Sequence, residues 1–115
     1  MKIENTIVIG NIGSGKTTKL INMLKDLLVE NPNLKIGVSE EIPEIENSVP
    51  EVISTKTLSS NLDLFVCTHD FYLVNVANSM NIPVWCEIYG DEKVVARMEE
   101  NVPGIEKFKR IYCQR

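Results

Sequence analysis

The sequence predicts a single α/β domain, residues 1–115, in which a mainly parallel sheet of about five strands carries helices on both faces. Short apolar runs rich in β-branched residues alternate with segments of helical periodicity along the chain. A glycine-rich segment, residues 10–17, separates the first such run from the first helical segment. The composition, 43% hydrophobic and 24% charged over 115 residues, is that of an ordinary globular domain with enough apolar material for a core.

The first strand, loop and helix are the best-defined part of the pattern. Residues 6–9 read Thr-Ile-Val-Ile, which predicts a buried parallel strand. Leucine and isoleucine recur at helical spacing over residues 16–30, with polar residues on the other side, and this predicts an amphipathic helix. The sequence Asn31-Pro32-Asn33 is a turn signal that ends the helix.

The later elements are predicted from the same two patterns, apolar runs for strands and helical spacing of apolar residues for helices. Further apolar runs predict four strands, over residues 34–39, 62–67, 83–88 and 108–113. Residues 52–54 are a candidate for an additional short strand. Helices are expected over residues 70–78 and 91–101, with Asp91 as the N-cap of the second. Residues 40–50 contain Pro43, Pro50 and several acids, so we expect an acidic loop there.

Residues 10–17, Gly-Asn-Ile-Gly-Ser-Gly-Lys-Thr, fit the pattern G-x4-G-K-[ST]. Glycines allow the backbone to curl its N–H groups around an anion, and a helix N-terminus attracts phosphate. Lys16 would reach the outer phosphates and Thr17 would ligate Mg²⁺. The pattern predicts ATP and Mg²⁺ as ligands, with ATP preferred because no Asn/Thr-Lys-x-Asp guanine motif is present. The candidate nucleotide-binding residues are Gly10, Asn11, Ile12, Gly13, Ser14, Gly15, Lys16, Thr17 and Thr18.

Hydrolysis requires acids in addition to the loop. The strand at residues 62–67 is followed by Thr68-His69-Asp70, so Asp70 is the candidate metal ligand beside Thr17, or else the first-turn acid of the next helix. Glu40 and Glu41 follow the strand at residues 34–39 and are the candidate catalytic residues that position water. They are equally consistent with a solvated loop. Glu87 is a charge within a strand, facing either solvent or the site.

Residues 36–45, Ile-Gly-Val-Ser-Glu-Glu-Ile-Pro-Glu-Ile, resemble the acidic box of the type II/type IV secretion and pilus-motor ATPases. The resemblance implies a three-layer, RecA-like P-loop NTPase fold, with Glu40 as the catalytic glutamate and Glu41 as its acidic neighbour. Residues 61–70 fall where that family has its second nucleotide motif. Because Thr68 stands in place of that motif's glutamate, the resemblance is to a reduced or degenerate member.

Three functions are consistent with these residues. The first is an ATP-binding protein with Mg²⁺-dependent, weak ATPase activity that couples nucleotide state to a partner or an assembly. The second is a small phosphotransferase, although Arg97 is the only arginine before Arg110 and an arginine-rich lid is hard to build. The third is a non-hydrolysing module that responds to nucleotide.

Charge, cysteine content and hydropathy give no support for a nucleic-acid-binding, zinc-binding, disulfide-linked or membrane-spanning protein. The net charge of −4 gives no indication of nucleic-acid binding. The three cysteines form no C-x-x-C pair, which argues against zinc and disulfides. No apolar run approaches the ~20 residues of a membrane span, and we expect a cytoplasmic protein. A homo-oligomer or a protein partner is left open.

Overall fold

The computed structural model describes residues 2–113 as an α/β fold with a six-stranded, all-parallel sheet. The strands are β1 (Thr6–Gly10), β2 (Ile36–Ser39), β3 (Ile53–Thr55), β4 (Leu64–Thr68), β5 (Val84–Tyr89) and β6 (Lys109–Tyr112). The helices are α1 (Lys16–Glu30), α2 (Pro43–Ser48), α3 (Phe71–Ser79) and α4 (Glu92–Asn101), and a 3₁₀ turn spans Ile105–Lys107. The order across the sheet is β3-β2-β4-β5-β1-β6.

The predicted α/β class and parallel sheet are confirmed. The sheet has six strands, one more than the predicted number of about five, because the short segment β3 pairs with β2, with Gly37 opposite Ile53. At the other edge, β6 pairs with β1. Both edge strands are only partly buried, so their sequences carry a weaker apolar signal than those of the central strands.

Two apolar clusters fill the space on the two faces of the sheet. Along β1, Ile7 and Ile9 belong to one cluster and Val8 to the other, as the two-residue alternation of a strand requires. Helices α3 and α4 contribute to the first cluster, and α1 and α2 to the second. The molecule is therefore a three-layer structure with helices on both faces.

The acidic segment after β2 differs from the prediction. It contains the short helix α2 where a loop was expected. Pro43 occupies the first turn, where a missing N–H costs nothing, and Ile45 is fully buried in the cluster that α1 shares. Two prolines seven residues apart forbid a long helix but leave room for a six-residue helix.

All six strands are parallel, so their carboxyl-terminal ends lie along the same side of the sheet, and the loops that follow the strands emerge there. We call this side, which runs across the strands, the carboxyl edge. The glycine loop follows β1 there, and Glu40 and Glu41 follow β2. The segment before α3 contains His69 and Asp70, and Gly90 follows β5. Within residues 2–113, no helix is long and apolar enough to cross a membrane.

Candidate functional site

The glycine loop, residues 10–17, connects β1 directly to α1. Gly13 and Gly15 have φ values of 76° and 87°, in the left-handed region that glycine adopts without a steric penalty. Helix α1 begins at Lys16, and no side chain caps its N-terminus. Its first-turn N–H groups and the positive end of its dipole therefore face the loop, as an anion site requires.

Lys16 is held against this loop. The residue is 7% exposed, and its Nζ donates a 2.9 Å hydrogen bond to the carbonyl oxygen of Asn11. The ammonium also lies 5.6 Å from the centre of the Tyr89 ring. A cavity of about 540 Å³ adjoins these groups, and we call it the lysine cavity. Its lining comprises Ile12, Gly13, Gly15, Lys16, Thr17, Thr18, Glu87 and Tyr89.

The acid that meets the loop is Glu87, from β5. Thr17 Oγ1 donates a 3.0 Å hydrogen bond to Glu87 Oε2. Strand β5 lies beside β1, with Glu87 opposite Val8, so the carboxylate approaches the first turn of α1 from the neighbouring strand. The backbone carbonyl of Glu87 also accepts a 2.9 Å hydrogen bond from His69 N.

A hydroxyl and a carboxylate at this separation are a suitable oxygen donor set for Mg²⁺. Among residues 2–113, no three His, Cys, Asp or Glu side chains cluster to hold a metal by themselves. Mg²⁺ in nucleotide sites normally takes only one or two carboxylates and completes its octahedron with phosphates and water. Thr17 and Glu87 therefore fit the protein's share of such a magnesium ligand set.

The Asp70 carboxylate is hydrogen-bonded to a different group. Its Oδ1 accepts a 2.9 Å hydrogen bond from Leu73 N and caps α3. The structure thus shows Glu87 at the Thr17 hydroxyl. Asp70 is the N-cap of α3, one position before the first turn in which the alternative interpretation placed it.

Glu40 and Glu41 are exposed and do not line the lysine cavity. Glu40 Oε2 lies 3.9 Å from Lys56 Nζ, in an ion pair open to solvent. The backbone N–H of Glu41 donates to Ser39 Oγ at 3.3 Å. Since β4 and β5 separate β2 from β1, the ends of these two strands are roughly 14 Å apart at ordinary strand spacing.

The glycine loop is recognisable from the sequence, whereas the orientation of Glu87 toward solvent or the site is not. The available signal was its charge within Val84–Tyr89, a strand whose other residues are mostly apolar. A strand buried on both faces rarely carries a carboxylate without a partner. The partner, Thr17, lies 70 positions away in sequence, so no local pattern connects the two.

Comparisons with protein-family models, with curated proteins and with solved structures found no match to this chain. The resemblance to the secretion and pilus-motor ATPases therefore stays a prediction.

Proposed function

We propose that this protein binds Mg²⁺-ATP at the glycine loop and hydrolyses it slowly. The observation that carries the proposal is the hydrogen bond between Thr17 and Glu87 beside the buried ammonium of Lys16. The three groups line one cavity at the N-terminus of α1. Together they offer a cation for phosphate oxygens and two oxygen ligands for a metal.

In this proposal each residue of the site has a separate role. When the nucleotide binds, the Lys16 ammonium leaves the Asn11 carbonyl oxygen and donates to the outer phosphates. Phosphate oxygens are stronger acceptors than the carbonyl because they are charged. The Thr17 hydroxyl and the Glu87 carboxylate hold Mg²⁺, which neutralises charge on the phosphates when it is bound. The backbone N–H groups of the loop stabilise charge on the phosphoryl group as water replaces ADP.

Hydrolysis also requires a carboxylate that orients the attacking water. Glu40 and Glu41 are the candidates from sequence, and neither lines the lysine cavity. A chain whose water-positioning acid is distant should turn over slowly, since general-base catalysis contributes about 10²–10⁴-fold. This is why we propose weak hydrolysis.

The test is calorimetric titration with Mg²⁺-ATP, together with phosphate release, for wild type and Lys16→Ala. Loss of a charge-assisted contact worth about 1.5–3 kcal/mol should weaken binding about 10- to 100-fold. Lys19→Ala is the matched control, because Lys19 is an exposed lysine in the first turn of the same helix. Equal binding by wild type and Lys16→Ala would contradict the proposal.

One observation favours a second candidate, a non-hydrolysing module that responds to nucleotide. The carboxylates of Asp70 and Glu40 already have partners, Leu73 N and Lys56. If ATP is bound but no phosphate is released at any protein concentration, ATP would act by shifting a conformational population. Hydrogen exchange with and without ATP would then detect the shift, in α1 and β5 first.

A further inference from the structure

A second cavity adjoins the glycine loop, and the proposed function does not use it. Its volume is about 580 Å³, within the range of small-molecule sites. It is lined by the start of the loop, by the turn after β5 and by Tyr112 and Cys113 at the end of β6. We call it the Tyr112 cavity. The turn after β5 is tied to the loop because Gly90 N donates to the Gly10 carbonyl at 3.1 Å.

The two cavities are adjacent. Ile12, which is 84% exposed, lines both of them. A ligand that fills the lysine cavity with one end therefore has a second recess beside it on the other side of Ile12. One molecule with an anionic end and a larger ring-bearing end matches this arrangement.

The charges of the two cavities differ in a way that orients such a ligand. The described lining of the Tyr112 cavity includes the carboxylates Asp91 and Glu92 and no lysine or arginine. Phosphates are repelled there and attracted to Lys16. Carboxylates accept hydrogen bonds from sugar hydroxyls and from amino groups of a base. Asp91 also caps α4 through a 3.0 Å bond from Lys93 N, which fixes its position.

The Ser14 hydroxyl is a second sign of a ligand. Ser14 lines the Tyr112 cavity, and its Oγ is buried and has no hydrogen-bond partner within residues 2–113. Most buried hydroxyls in proteins are satisfied. A change of the Ser14 rotamer would turn this hydroxyl toward the cavity, where a hydroxyl of the ligand would supply the partner.

Tyr112 supplies an aromatic surface beside this cavity. Tyr112 lies at the end of β6 and is 54% exposed. Arg110, two residues earlier and so on the same face of the strand, donates a 2.8 Å hydrogen bond to Glu99 on α4. That bond raises the pKa of Arg110, against the opposing effect of partial burial. Arg110 and Tyr112 line one recess with Glu92, Val95 and Glu99 of α4, so Tyr112 lies beside α4.

We infer that the Tyr112 cavity holds the base and ribose of the nucleotide whose phosphates bind the glycine loop, with the base stacked on Tyr112. This inference rests on the proposed function, since it requires phosphates at Lys16. It adds that the chain distinguishes a nucleotide from an inorganic polyphosphate, and it assigns that distinction to Tyr112.

The experiment compares calorimetric titrations with Mg²⁺-ATP and with Mg²⁺-tripolyphosphate, which carries the phosphates without a nucleoside. Loss of one base–aromatic stack should weaken ATP binding by Tyr112→Ala roughly ten-fold and leave tripolyphosphate binding unchanged. Tyr112→Phe keeps the ring and should bind ATP nearly as wild type does. The matched control is Tyr72→Ala, because Tyr72 is a 74% exposed tyrosine on α3 that lines neither cavity.

The outcomes separate the inference from the proposed function. If wild type binds tripolyphosphate as tightly as ATP, or if Tyr112→Ala binds ATP as wild type does, the inference is wrong and the proposed function stands. An equal loss of both ligands in Tyr112→Ala would also overturn it, since Tyr112 would then not distinguish the nucleotide from the polyphosphate. If wild type binds neither ligand, the proposed function fails and the inference fails with it.

Discussion

The Thr17 hydroxyl and the Glu87 carboxylate are hydrogen-bonded at 3.0 Å across 70 positions of sequence. The bond connects the first turn of α1 to the strand beside β1, at the carboxyl edge of the sheet. In the proposed function this pair holds Mg²⁺, and its two oxygen donors are already together in the folded chain. The acid comes from β5, and Asp70 after β4 caps a helix.

Glu87→Gln should weaken the Mg²⁺ dependence of ATP binding. The amide keeps the size and can still accept the Thr17 hydrogen bond, but it removes the charge that a divalent cation requires. We expect the Mg²⁺ concentration at half-maximal ATP binding to rise by about 10- to 100-fold, the effect of losing a charged interaction. Calorimetry at a series of Mg²⁺ concentrations measures this half-maximal concentration. An unchanged value in Glu87→Gln would show that Glu87 is not a metal ligand.

Glu40→Gln is the companion variant, because Glu40 is an exposed carboxylate outside the lysine cavity. We expect its Mg²⁺ midpoint and its ATP affinity to equal those of wild type. Phosphate release by this variant tests the role implied by the resemblance to the secretion ATPases. Loss of release with intact binding would assign water activation to Glu40, and unchanged release would exclude Glu40 as the base.

Asp70 should contribute to stability through its cap. Asp70→Ala removes the acceptor for Leu73 N and should lower the free energy of unfolding by about 1 kcal/mol. Asp70→Asn keeps a capping oxygen and should lose only a few tenths of this amount. Urea denaturation measures both. A reduced Mg²⁺ dependence of ATP binding in Asp70→Asn would instead support the metal role predicted from sequence.

Gly10→Ala should disturb both the loop and the edge of the sheet. An added Cβ would lie 2.7 Å from the Cys113 carbonyl oxygen, which is backbone, and would also collide with the Ser14 hydroxyl. We expect a loss of about 1–3 kcal/mol in unfolding free energy and weaker ATP binding. Gly104→Ala is the control, since its cost is backbone strain at φ 86° with no atom within 4 Å. That variant should lose stability but keep its ATP affinity.

The thiol of Cys67 should make stability depend on alkaline pH. Its pKa is raised by a hydrogen bond with Cys86 and next by burial, with smaller effects from Asp70 and Glu41. Above the unfolded thiol pKa of about 8.5, the unfolded chain loses a proton that the folded chain keeps, so rising pH favours unfolding. The group's contribution falls by up to about 1.4 kcal/mol per pH unit until the folded pKa is reached.

Urea denaturation between pH 7 and pH 10, for wild type and Cys67→Ala, measures this effect. The other titrating groups are common to both proteins, so the difference between the two slopes measures the effect of the Cys67 thiol together with its interaction with Cys86. Parallel slopes above pH 8.5 would contradict the prediction.

Much of the fold was predictable because its determinants are local. The apolar run at residues 6–9 and the helical spacing of Leu20 and Leu24 define β1 and α1, and both leucines are fully buried. Asp91 caps α4 as expected, since its carboxylate accepts from Lys93 N. Helix α2 was missed because its single fully buried contact, Ile45, depends on where α1 packs.

The sequence by itself determined the glycine loop, its flanking strand and helix, and the parallel α/β architecture. These depend on residue types and on periodicities of two and 3.6, which act within a few positions. Only the tertiary structure decided which acid meets Thr17 and that the rings of Tyr89 and Tyr112 adjoin the loop. Both Glu87 and Tyr112 reach the site because β5 and β6 are the strands that flank β1. Strand order results from packing across the whole sheet, which no local pattern encodes.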